Sequence, residues 1–228
     1  MPLNKLFQKL ADIKPCCSLA LNLKFGILLF PLAYAVVRYN LAAGVEWSQL
    51  PLYITNKALA MSSVLALLFA ARAMLKGCRE SARDLGKMAL HCACLHVLLT
   101  LVLLPAGYYP KLSQQVLTPG GEQVLLMASF SALANLALLF GVLCAYLFFV
   151  ISNGHVVNGL QRQVLLYLQM CVLAYHLLFL GSYSWFTPAF WPAYLPPITL
   201  LSFIGVLLAV YFLQKSWQKA WQKSRQKR

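Results

Sequence analysis

The sequence predicts an all-α membrane protein, a six-transmembrane-helix bundle with both termini in the cytoplasm. Three observations predict it. Hydrophobic residues make up 61% of the 228 residues and charged residues only 11%, whereas about a quarter of a soluble domain is charged. The apolar residues gather in six runs, five of them near the ~20 residues that a helix needs to cross a bilayer and the fourth long enough to tilt or to project beyond it. Lys and Arg are dense in alternate connections and sparse in the others, which is the asymmetry that orients polytopic proteins.

Residues 1–15 come first. Leu3, Leu6, Phe7, Leu10 and Ile13 recur at helical spacing with Lys5, Lys9 and Lys14 between them, and Pro15 follows. That pattern suits an amphipathic segment lying on an anionic membrane surface. The membrane domain is expected over 16–214, with spans at about 17–37, 54–74, 87–105, 123–151, 163–183 and 196–214. A basic tail, 215–228, closes the chain. Lys24 and Arg38 flank the first apolar run and no small-residue cleavage site follows it, so this helix is expected to stay in the mature protein.

Orientation follows from the cations. Lys5, Lys9 and Lys14, then Lys76, Arg79, Arg83 and Lys87, then Arg162, then Lys215, Lys219, Lys223, Arg225, Lys227 and Arg228 all fall on one side of six spans. The opposite connections hold only Arg38, Lys57 and Lys111 beside Glu46 and Glu122. Trp47, Tyr53, Tyr108, Tyr109, Tyr183, Trp185, Trp191 and Tyr194 gather at the outer ends as an interfacial aromatic belt.

This placement of charge also disposes of other classes. The net charge of +14 marks topology, not a basic face on a soluble fold, so no nucleic-acid partner is expected. Of the seven Cys, Cys16, Cys17 and Cys78 belong to the inner side and Cys92, Cys94, Cys144 and Cys171 to apolar runs, so no structural disulfide is expected. A phosphate-binding glycine loop, a dinucleotide fingerprint and a transporter-like internal repeat are all lacking. With only two Asp in the chain, no Ser/His/Asp arrangement is evident.

Chemistry points to the histidines. An ionisable side chain inside a span is costly and is a functional candidate by default. His96 lies in the third run and His176 in the fifth, and both runs point the same way. At 1.5 Å per residue His96 stands roughly 15 Å above Gly86 and His176 roughly 20 Å above Gln163. Two imidazoles at similar depth on parallel helices can hold a haem iron from both faces, as bundles commonly build cofactor sites from facing helices. The alternative is that each His donates a hydrogen bond to a neighbouring helix. His91 precedes His96 by five residues, a rotation of about 140°, so the two do not share a face. His91 and His155 are weaker ligand candidates, read as polar boundary residues. Ser129, Ser131 and Asn135 in the fourth run would line a polar path if the protein were a small transporter or an assembly scaffold, or would bond between helices.

Several short motifs then line up. Asn56-Lys57-Ala58-Leu59-Ala60 opens the second run, and Ala82-Arg83-Asp84-Leu85-Gly86 is followed ten residues after the Gly by His96. Gln163-x-x-x-Tyr167 is followed by His176 thirteen residues after Gln163, and Val150-Ile151-Ser152 ends the fourth run. On these residues, over about 54–185, the chain resembles the ferric-reductase-like transmembrane domain family, and most closely its MsrQ branch of haem-binding membrane subunits. Their counterparts there are a Gly-Arg-x-Ala-Leu pattern, an R-R-x-L-G…L-H run, an L-H-x-x-x-Y frame with a second His and an L-T-S turn.

The resemblance implies that His96 and His176 are axial ligands of a haem b. Gln163 stands where the family has a further His, which implies one haem and not two. It also implies electron transfer across a bacterial inner membrane, from quinol or a cytoplasmic flavin reductase to an exported acceptor such as a methionine sulfoxide reductase. FMN or a quinone is a further cofactor that this function would admit. The expected partners are membrane lipid, an exported reductase subunit and a cytoplasmic electron donor.

Overall fold

A computed structural model describes residues 18–103, 113–117, 123–127, 131–152 and 159–226. Six long helices carry the described chain: α1 (Ser18–Ala35), α2 (Thr55–Leu75), α3 (Arg79–Leu103), α4 (Ser131–Ser152), α5 (Gly159–Trp185) and α6 (Ile198–Arg225). Among the described residues, five stretches are long and apolar enough to cross a membrane: Asn22–Ala42, Trp47–Leu75, Arg79–Leu103, Gln163–Ser182 and Pro192–Gln222. Leu136–Ile151, within α4, is a shorter apolar stretch. The outward faces are themselves apolar, with Phe30 on α1, Leu98 on α3, Leu139 on α4, Val164 on α5 and Leu207 on α6 all exposed. A surface of that kind is unsuited to water and suited to lipid. The protein is a multi-pass, helical membrane protein.

α2 is the central helix. More than half of its apolar window (56%) is buried inside the bundle, against 17% for α3 and 33% for α5. Ala58, Ala66, Ala70 and Ala71, with Ser62 and Ser63, make much of its buried face. Small residues let helix backbones approach closely where no hydrophobic force drives helices together in lipid. A Cβ on Gly205 of α6 would stand 3.1 Å from Val64 Cγ1 of α2, so a glycine sits where these two helices touch.

Several expected boundaries move. The fourth run does not start as a helix at 123. Gln123–Met127 pairs antiparallel with Ser113–Leu117, Val124 opposite Val116, and α4 begins at Ser131. Hydropathy marks an apolar run but not its period, and Gln115-Val116-Leu117 provides a partner strand. α3 begins at Arg79, eight residues before the expected 87. Gly77, at φ +78, ends α2 in the left-handed conformation that glycine adopts freely, and the charged turns that follow are good helix formers. Arg79, Arg83 and Lys87 therefore stand on a helix and not in a loop. α6 runs on through most of the basic tail, to Arg225.

Arg38 also leaves the loop in which the sequence put it, while Lys57 stands on the helix that its place in the second run implies. α1 continues as a π-helical stretch, Val36–Ala42, in which Arg38 is only 7% exposed. Its Nη1 donates to the Leu195 carbonyl and Tyr34 Oη donates to the Pro196 carbonyl at 2.6 Å, which ties α1 to the chain entering α6. Lys57 lies in the first turn of α2, its Nζ 5.2 Å from the Tyr53 ring centre. The 1–15 segment, Cys16, Cys17, Tyr108, Tyr109, Lys111, Ser129 and His155 lie outside the described residues.

Candidate functional site

His96 is one helical turn from Thr100 on α3 and opposite Asn56, which is fully buried in the first turn of α2. His96 Nδ1 is 2.7 Å from Asn56 Oδ1 and 3.2 Å from the Asn56 carbonyl oxygen. Both oxygens only accept, so Nδ1 carries the proton and donates. The amide's orientation is set by its other end: Asn56 Nδ2 donates to Thr100 Oγ1 at 3.0 Å, and that hydroxyl donates to the His96 carbonyl at 2.8 Å. Turned over, the amide would place an N–H against the imidazole proton. The four groups form a closed ring of hydrogen bonds.

His176 on α5 is fixed differently. Its Nδ1 lies 2.6 Å from the carbonyl oxygen of Ala137 on α4, again an acceptor only, so again Nδ1 is the donor. Gly141, one turn further along α4, makes room for the ring. A Cβ there would stand 3.0 Å from His176 Cε1 and 3.1 Å from Nδ1. With both Nδ1 atoms protonated, each ring keeps its lone pair on Nε2. Among the described residues, Nε2 of neither ring makes a hydrogen bond.

The two rings line one cavity of about 120 Å³ between α2 and α3 on one side and α4 and α5 on the other. Its walls include Ala60, Ala93, Val97, Leu138, Ala145 and Leu173. Small residues on three of the helices open the space, and among the described residues no Asp, Glu, Lys or Arg lines it. Two turns further along, where helical spacing repeats the face, the polar groups are only partly engaged with protein. Ser63 Oγ donates to the Ala89 carbonyl at 3.0 Å. Gln169, seven residues before His176, donates from Nε2 to Cys144 Sγ at 2.8 Å, while its buried Oε1 has no partner among the described residues.

The structure thus brings His96 and His176 together and separates them from the other candidates. His91 is exposed on α3. Gln163 is half-buried near the start of α5, roughly 20 Å along the helix from His176, and is not among the residues lining the cavity. The side chains of Ser131 and Asn135 are outside the described residues. Among the described residues, Cys92, Cys94, Cys144 and Cys171 are in no disulfide. Among the described residues, no three His, Cys, Asp or Glu side chains gather as a metal site, so the ligand set on offer is two imidazoles.

Sequence reasoning missed Thr100, Ala137, Gly141 and the role of Asn56. Only Thr100 left a legible signal, the i, i+4 spacing after His96. No protein-family model matches the chain, and no curated protein matches it.

Proposed function

We propose that His96 and His176 hold one b-type haem between them, and that the protein passes electrons through it across a bacterial inner membrane. The observation that supports this reading most is the state of the two rings. Both line one apolar cavity, both have Nδ1–H fixed by a protein oxygen, and both keep Nε2 free. A hydrogen bond from the far ring nitrogen is the usual way a protein orients a metal-ligating His and raises its basicity. His96 and His176 would hold the iron of a haem through Nε2, and the apolar side chains lining the cavity would suit its hydrocarbon body. When bound, a haem supplies a one-electron carrier whose potential follows its axial ligands and burial. Asn56 and Ala137 orient the imidazoles, Gly141 gives one of them room, and the apolar walls exclude water.

The wider reading is of six spans with both termini in the cytoplasm. Electrons would come from quinol or a cytoplasmic flavin reductase and leave to an exported acceptor of the methionine sulfoxide reductase kind. The apolar outward faces and the cations at the inner ends of α2, α3 and α6 support it.

Purified protein assayed as pyridine haemochrome tests the centre of the proposal. One haem per chain is expected, lost or severely disturbed in His96→Ala and His176→Ala and kept in His91→Ala and His155→Ala. Protein without a Soret band, or haem lost with His91 but not with His96, would overturn it.

A further inference from the structure

We propose that Asn56 is a positioning residue that sets the redox potential of the site through the hydrogen bond from His96. This inference rests on the haem reading above. Among the described residues, His96 is the only ring of the two whose Nδ1–H meets a side chain, because His176 bonds to a backbone carbonyl that no substitution removes. The Asn56 amide is fully buried and Thr100 holds its orientation, so its oxygen presents a fixed, neutral acceptor at 2.7 Å.

An acceptor at that distance governs how much electron density His96 places on whatever its Nε2 binds. A neutral amide leaves the ring an ordinary imidazole. A carboxylate in its place accepts a stronger, charge-assisted bond, draws the Nδ1 proton away and makes the ring a stronger donor, which favours the ferric state. Removing the acceptor does the opposite. The longer 3.2 Å contact to the Asn56 backbone oxygen survives any substitution, so the tautomer is kept and the iron stays ligated. The sign of the effect therefore depends on the charge of the residue at position 56. Damage to packing would push every variant the same way.

The experiment uses the full-length protein purified in detergent as wild type, Asn56→Asp, Asn56→Leu and Thr100→Val. Haem content and midpoint potential are measured at a fixed alkaline pH, where an introduced carboxylate is ionised. Haem content reports on the underlying reading, because wild type without haem ends that reading whatever the variants do. With haem present in all four, Asn56→Asp is expected to favour the ferric form at least tenfold, a fall of about 59 mV for one electron. Asn56→Leu is expected to favour the ferrous form, and Thr100→Val to move the same way by less. The low-spin g values should spread and contract in step. Asp and Leu variants that shift in the same direction, or that both stay within a twofold change, would overturn the role of Asn56 while leaving the haem assignment in place.

Discussion

Gly141→Ala asks whether the His176 ring is held as tightly as its surroundings imply. The new Cβ would stand 3.0 Å from Cε1 and 3.1 Å from Nδ1, whereas carbon atoms rest at 3.5–4.0 Å, so the ring must withdraw by about 0.5 Å. The Nδ1 bond to Ala137 is 2.6 Å, and that withdrawal takes it to about 3.1 Å, near the long end of the hydrogen-bond range. Weakening the bond costs about 0.5–1 kcal/mol, and a displaced rotamer about as much again. Against this stands the gain of about 1 kcal/mol from replacing a helical Gly with Ala. Folding stability should therefore hardly change, while a ligand held through Nε2 should bind roughly tenfold more weakly, the equivalent of about 1.4 kcal/mol. Gly26→Ala is the control, since a Cβ there meets nothing within 4 Å, and it should show the helix gain alone. Haem retention under dilution and thermal unfolding of the three proteins measure both quantities. A Gly141→Ala protein that matches Gly26→Ala in stability and wild type in haem retention would show that the ring is not confined by α4.

Two further outcomes are expected. Gly181→Ala should destabilise the bundle by about 2–4 kcal/mol, from overpacking and a lost hydrogen bond. Its Cβ would overlap Thr199 Oγ1 and stand 2.6 Å from Trp185 Nε1, between partners now bonded at 3.0 Å. Unfolding in graded SDS should show the loss and its partial recovery in Gly181→Ala/Thr199→Gly, and an unaltered midpoint would refute the contact. Reporter fusions after Arg228 and after Lys111 should report opposite sides of the membrane, and an external carboxyl terminus would reverse the orientation drawn from the cations.

The helices were legible because a bilayer imposes a simple rule, that each span be apolar over about 20 residues. All six long helices overlap runs visible in the sequence. What hydropathy does not carry is backbone geometry. It marks where polarity changes, so it starts α3 at Lys87 when the helix begins at Arg79, and it merges strand 123–127 with α4. Arg38 reads as a loop residue because a lone cation in a span is costly, yet it is buried on the helix and its Nη1 donates to the Leu195 carbonyl. The site divides in the same way. Depth along a helix is a count of residues, so the matched levels of His96 and His176 could be read. Which face each ring occupies, and which oxygen takes its proton, depends on packing between α2 and α3 and between α4 and α5.

A buried His in a membrane protein often serves to bond one helix to another, and both rings here make such a bond. That use occupies one nitrogen. A ring kept for bonding alone is best placed against a filled wall, because an open cavity gives up packing contacts. It also needs no glycine on the opposing helix. Here the two rings line the same cavity, small residues on three helices keep it open, and Gly141 admits one ring at the closest approach its backbone allows. The bond to protein explains Nδ1 of each ring. The cavity and the two Nε2 atoms, which make no hydrogen bond among the described residues, are what the proposed haem would use.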